Sequence, residues 1–282
     1  MYFVKKERER AAQNRGRMNK QNKKPKGRAG IRTFKILLFL FLLGLCVLLL
    51  GAMYQTKEQD HKQKEQQEEL QQEKDKKGIK KLQKKYQDMV GWIEIKDTEF
   101  AYPVMQTKEN PEYYLHKDVW GNYSFYGTPF LDYRCSVDSD NRIIYGHNIN
   151  GRRYFGYLQN YREASFYQSH PTIIFTKVNE SKEMYHIISV IKTDIYADYY
   201  KFTDCDNDEE YRDYVQEIIA NSLYPCKRTD SMKKEMKEDT VEAFFHRYQF
   251  LTLSTCRTGE GRDARLLVIA CRNNTKQEEQ SE

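Results

Sequence analysis

A run of β-forming residues ends in Thr252-Leu253-Ser254-Thr255-Cys256, and nine residues after that cysteine stands Arg265. A thiol at a strand end is held rigidly on one side and reachable on the other, which suits a nucleophile attacking an acyl carbon. A second apolar run, Ile143-Ile144-Tyr145-Gly146-His147-Asn148, closes on an imidazole, a group able to carry a proton to and from such a centre. Arg265 opens the run Leu266-Leu267-Val268-Ile269-Ala270 after the polar loop 257–263. Its guanidinium stays charged at any working pH and can hold a carbonyl oxygen as it becomes an oxyanion. Thiol, imidazole and guanidinium together make acyl transfer through a thioester the expected chemistry.

Each of these choices has competitors. Cys256 could be a buried strand cysteine, and Arg257, Arg262 and Arg272 are alternatives to Arg265, Arg262 foremost. Of the six histidines, His61 lies in a polar stretch. Among the others only His147 follows an apolar run through a glycine and precedes an asparagine, turn chemistry that leaves the ring at a strand end. Ser254, two residues before the cysteine, shares its side of the strand and reads equally well as a substrate contact or a surface serine.

The elements that must position these groups are short and β-rich. Eight candidate strands are read over 91–95, 99–105, 125–132, 142–147, 172–177, 183–196, 250–256 and 265–271, bounded by Gly, Asn, Asp and Pro, as in one barrel-like all-β unit. A short helix is expected over 154–161. A longer one is expected over 209–222, where Tyr211, Tyr214, Val215, Ile218 and Ile219 follow the spacing of an amphipathic face.

The formal charge of +6 over 282 residues is unevenly placed. Residues 1–35 hold thirteen Lys and Arg against two Glu, so the remainder is net acidic. That removes the support a basic pI would lend to nucleic-acid binding. The uncharged run 36–53 is eighteen residues long, or about 27 Å as a helix, close to a hydrocarbon core. The basic cluster before it predicts a single-pass anchor over 36–54 with a cytoplasmic tail (1–35) and everything later outside; a cleaved signal peptide is the alternative. Residues 55–81, rich in Gln, Glu and Lys, read as a solvated stalk with too few aliphatics for a heptad seam. The folded domain is expected over 82–274, with a polar tail over 275–282. Six cysteines without CxxC or Cys/His spacing argue against zinc, and no acidic cluster reads as a calcium loop. No cofactor is expected.

The two motifs, in this order, resemble the sortase family, the extracytoplasmic cysteine transpeptidases of Gram-positive bacteria. Tyr145-Gly146-His147-Asn148 matches that family's histidine motif without a gap, and Val90-Gly91-Trp92-Ile93, Tyr102-Pro103-Val104 and Tyr113-Tyr114-Leu115 are similar to its class B branch. The resemblance covers about 82–274. It implies a mainly β fold: an eight-stranded barrel, an N-terminal helix, and a long helix between the sixth and seventh strands. It implies Cys256, His147 and Arg265 as catalytic groups, with Ser254, Thr255, Tyr145, Asn110 and Arg257 as candidate substrate contacts, the backbone N–H of Arg257 completing an oxyanion hole. The expected partners are secreted proteins bearing a sorting signal of the Asn-Pro-x-Thr-Asn/Gly/Ser kind, cleaved after Thr, and an amine of a peptidoglycan precursor. The region between the sixth strand and Phe250, polar over Asp204 to Asp239, is expected to form one wall of the groove that reads the signal. Pilin polymerisation onto a lysine, a non-catalytic barrel that binds sorting signals, and a secreted cysteine protease are the competing readings.

Overall fold

The computed structural model describes residues 28–149, 153–257 and 259–274; most of the basic tail (1–35) and all but one residue beyond 273 lie outside them. Two units are described separately, residues 1–66 and 67–282. The first contains most of helix α1 (Arg28–Lys77). Its apolar stretch is exposed on every side, Leu37 at 65% and Leu48 at 72%, whereas a helix seated on a soluble core hides one face. This is a candidate membrane span by length and composition.

The second unit is a closed barrel in the order β1-β2-β3-β4-β9-β10-β8-β7. The strands are β1 (Met89–Ile95), β2 (Ala101–Met105), β3 (Phe130–Leu131), β4 (Asn141–Tyr145), β7 (Thr172–Lys177), β8 (Lys182–Asp194), β9 (Tyr248–Cys256) and β10 (Ala264–Asn273). A two-stranded ribbon, β5 (Asn148–Ile149) with β6 (Arg153–Tyr154), stands apart from it. Pairing is antiparallel except for β2 with β3 and β4 with β9.

A third apolar layer, besides the two that line the strand faces, extends the packed unit N-terminal to Leu82. Leu70 of α1 and Ile79 and Leu82 of α2 (Ile79–Lys85) are buried against Trp92 and Met105. Lys74 pairs with Glu94 and lies 5.1 Å over the Trp92 ring, and Gln67 Nε2 donates to the Ala101 carbonyl. These residues sit in the stretch read from sequence as a solvated spacer. Three aliphatics are too few for a coiled coil, yet enough to dock the end of α1 and the short α2 on the sheet.

Alternate residues on the strands serve the two main layers. Ile93, Val104, Ile143, Tyr185, Leu251, Leu253 and Val268 fill one cluster. The short helix expected over 154–161 is present as a 3-10 helix, Phe155–Arg162, followed by α3 (Ala164–Ser169), and its Phe155, Leu158 and Tyr161 join that cluster. Phe250, Leu267 and Ile269, on the opposite strand faces, are covered by helices α4 (Asp208–Ala220), α5 (Lys227–Glu238) and α6 (Val241–Phe244). Tyr211, Tyr214, Val215, Ile218 and Ile219 of α4 are all buried, as their spacing predicted. Asn207 caps that helix by accepting the Glu210 N–H. α5 was not anticipated, because only Thr229, Met232 and Met236 of it are buried and so thin a stripe gives little periodic signal.

The strand expected over 125–132 is corrected to Phe130–Leu131. At its start the Ser124 hydroxyl accepts the Tyr126 N–H at 3.2 Å, the Ser124 carbonyl accepts the Gly127 N–H at 3.3 Å, and Gly127 takes a positive φ of 61°. A side-chain turn therefore occupies the stretch that β-forming residues seemed to claim.

Candidate active site

β9 lies between β4 and β10, and eight of its nine residues are buried. Only its last, Cys256, is half-exposed. Cys256 and Arg265 are a direct antiparallel pair, so their side chains leave the sheet on the same face with Cβ atoms about 5 Å apart. On the other edge the parallel register runs through Tyr145↔Ser254. His147 stands two residues beyond the first of that pair, as Cys256 stands two beyond the second. The Gly146 N–H donates to the Ser254 carbonyl at 3.2 Å, and Thr255 Oγ1 donates to the Gly146 carbonyl at 2.9 Å. Gly146 must be glycine: a Cβ there would lie 2.5 Å from the Phe155 ring.

His147 Nε2 is 2.8 Å from the Leu115 carbonyl oxygen. A carbonyl only accepts, so this nitrogen donates, and the neutral ring carries its lone pair on Nδ1. Burial lowers the imidazole below its ordinary value, and the neighbouring His116 adds to this; the Leu115 hydrogen bond works the other way. The two histidine rings are 5.3 Å apart. The neutral form of His147 is thus favoured in the free protein.

Ser254 is buried, and its hydroxyl shares a 2.8 Å hydrogen bond with that of Tyr200. Tyr200 is pushed up to about 12, chiefly by burial, with Arg265 acting in the opposite direction and Cys256 reinforcing it. The Tyr200 hydroxyl therefore remains protonated beside Ser254. Tyr145 stacks on Tyr200 and donates to Asp132 at 2.8 Å. Burial works to raise the Asp132 carboxyl, but Arg134 and Tyr145 outweigh it and hold it below the usual carboxylate range.

Several expectations need revision here. Thr255 is buried and bonded to β4, so it ties two strands together instead of facing a groove. The backbone N–H of Arg257, expected to complete an oxyanion hole, donates to the Ala264 carbonyl at 3.0 Å. The hairpin takes that donor, and the Arg257 side chain is paired with Glu260. Asn110 is exposed; its backbone carbonyl accepts the Tyr113 N–H at the start of the turn leading to Leu115. That segment, and not the Asn110 side chain, reaches His147. Arg262 is exposed, and its carbonyl accepts from Arg265 Nη1 at 2.6 Å. Of the region between β8 and Phe250 that was expected to form a groove wall, the part at Cys205 lies by the start of β4, away from the site, its N–H bonded to Asp140. The residue of the β8–β9 connection that reaches the site is Tyr200. Sequence reasoning passed over it as one of 22 tyrosines, and no local pattern marks it.

Among the described residues no cluster of His, Cys, Asp or Glu is suited to hold a metal ion.

No protein-family model matches the chain. It is 32% identical over 202 residues to Sortase B of Listeria monocytogenes, an alignment covering 70% of this chain and 74% of that protein. Solved structures of sortase B are similar, among them the following two. The Staphylococcus aureus sortase B–substrate complex has a TM-score of 0.61 at 27% identity, covering 75% of this chain and 94% of the other. The structure of sortase B from Listeria monocytogenes has a TM-score of 0.54 at 30% identity, covering 68% and 98%.

Proposed function

Because this chain belongs to the sortase B family and is a cysteine transpeptidase, we propose that Cys256, His147 and Arg265 carry its reaction on a sorting signal, with a cell-wall amine as acceptor. The observation that carries this reading is the direct cross-strand pairing of Cys256 with Arg265, beside the end of the parallel strand that leads to His147.

In the first half-reaction the Cys256 proton passes to His147 Nδ1 and the sulfur attacks the threonine carbonyl of the signal. The oxygen becomes an oxyanion facing the Arg265 guanidinium, whose five N–H donors outnumber its two loop contacts. The C–N bond breaks, and the departing amine takes the proton from His147. In the second half the acceptor amine attacks the thioester and gives a proton to His147, the C–S bond breaks, and that proton passes from His147 to the departing sulfur, restoring the thiol and the neutral ring. A base that is neutral at rest suits this half, since it must accept a proton from the incoming ammonium-forming nitrogen.

A polar first residue in the signal fits a hydroxyl better than an apolar wall, and the half-buried Tyr200 supplies one. This favours an Asn-Pro-x-Thr signal over a Leu-Pro-x-Thr one. The similarity to a sortase B–substrate complex supports a peptide in this groove. The apolar part of α1, after the basic tail, supports a membrane anchor with the N-terminus cytoplasmic and the barrel outside.

The test is mass spectrometry of products from Asn-Pro-Gln-Thr-Asn and Leu-Pro-Glu-Thr-Gly peptides at equal concentration, with and without amine acceptors. Cleavage after Thr and an acceptor-dependent product are expected, with the higher kcat/KM for the Asn peptide. A preference for the Leu peptide would remove the specificity assignment and leave the transpeptidase in place.

A further inference from the structure

The backbone of the nucleophile is held where the sheet stops holding it. Along the β4-facing edge of β9, the Ser254 carbonyl takes the last ladder bond, from the Gly146 N–H. The next acceptor on that edge is the carbonyl of Cys256. Among the described residues the β4–β9 ladder supplies no donor to it, because the pairing ends at Tyr145↔Ser254 and the chain after β4 goes on to form the β5–β6 ribbon. Two side-chain amides replace the missing strand: Asn148 Nδ2 lies 2.8 Å and Gln159 Nε2 3.0 Å from the Cys256 oxygen. On the opposite edge the following N–H, that of Arg257, is bonded to Ala264. The peptide plane after Cys256 is thus fixed at its oxygen and at its hydrogen.

Two further observations show that the amides are built into this arrangement. A Cβ on Gly156 would lie 2.4 Å from the Ile149 carbonyl and 3.0 Å from Asn148 Oδ1, so glycine at that position leaves room for the ribbon and the asparagine. Gln159 Oε1 is buried with no hydrogen-bond partner among the described residues. An unpaired buried oxygen is costly, and turning the amide over would set it against the Cys256 oxygen. The side chain keeps its donor on the nucleophile's carbonyl at the expense of its own acceptor.

We propose that Asn148 and Gln159 are positioning residues for the transpeptidase reaction. They complete both lone pairs of the Cys256 carbonyl and so fix the direction of the Cα–Cβ bond that carries the sulfur. Misplacing a reacting atom by about an ångström can cost on the order of 100-fold in rate, without any change in how the peptide is bound. The inference rests on Cys256 being the nucleophile.

The experiment compares the parent, Asn148→Ala, Gln159→Leu, the double variant and Cys256→Ala, measuring Tm, KM for the signal peptide and the single-turnover rate of thioester formation. Each single variant is expected to lose about 5- to 10-fold in that rate and the double about 100-fold, with KM within about twofold of the parent and Tm nearly unchanged for Gln159→Leu. Should Asn148→Ala fail to fold, Gln159→Leu decides the matter alone. A parental rate in Gln159→Leu, a lowered Tm with an unchanged rate, or a raised KM with an unchanged rate would each overturn the positioning role. An active Cys256→Ala would overturn the nucleophile assignment, and this inference with it; an inactive Cys256→Ala beside a parental double variant would overturn the inference alone.

Discussion

At the scale of single residues, the state of His147 decides how the site behaves with pH. Its imidazole is lowered because burial disfavours the charged ring. The unfolded chain therefore binds a proton at this residue at a higher pH than the folded chain does. The stability tied to the neutral ring is fully present above about pH 6.5 and is lost as pH falls from there through the lower folded value. Replacing His147 by Asn should flatten that part of the profile: Tm of the parent will fall more steeply below pH 6.5 than Tm of the variant, as read by calorimetry. Cys256→Ala should abolish turnover with an unchanged circular dichroism spectrum. Arg265→Lys keeps the charge but loses the planar fork, and should cost roughly 2–4 kcal/mol in the transition state, measured as kcat/KM. A lysine variant with parental kcat/KM would show that charge alone is sufficient.

At the scale of elements, the informative pieces lie where strands end. β4 leaves the barrel just after Gly146, and this opening exposes Cys256 on an otherwise buried strand. The end of α1 and the short α2 pack around Trp92, in the cluster that Leu115 and Tyr145 also touch. Leu70 is 4% exposed there, so Leu70→Ala should destabilise the barrel by about 2–4 kcal/mol, a loss typical of a buried leucine. Urea denaturation measures it, and a midpoint equal to the parent's would mean that the helix end adds nothing to stability. Leu115 and Tyr145, which touch the site, pack against the same cluster, so turnover by the folded fraction reads how far the loss at Leu70 reaches His147.

At the scale of the whole molecule, the packed unit begins at Gln67 and not at Leu82. A chain starting at Gln67 should fold with the parental Tm and turn over peptide in solution without detergent. One starting at Leu82 lacks Leu70, Lys74 and Ile79 and should melt several degrees lower. Equal melting of the two chains would assign the helix end a spacer role only. The full chain should sediment with membranes, and the chain from Gln67 should not.

Residue types and their spacing were enough to read the chemistry and the family. Local strings such as Thr252 to Cys256 and Tyr145 to Asn148 encode both a strand and the group at its end, so motif and placement arrive together. Residue types and spacing also determined most barrel strands and α4, whose periodic burial is written in adjacent residues. What pairs across the chain was decided only by the tertiary structure. Tyr200 reaches Ser254 from 54 residues away, Gln159 reaches Cys256 from 97, and Leu115 holds His147 from 32. Two of these contacts use a hydroxyl or an amide of common residue types, and the third uses a backbone carbonyl that every residue carries. The same holds for the Arg257 N–H, whose partner depends on hairpin register, and for Leu70, whose burial depends on the sheet it meets. Residue type and spacing report what a segment can do alone, whereas closing the barrel selects which distant donors and acceptors are left facing one another.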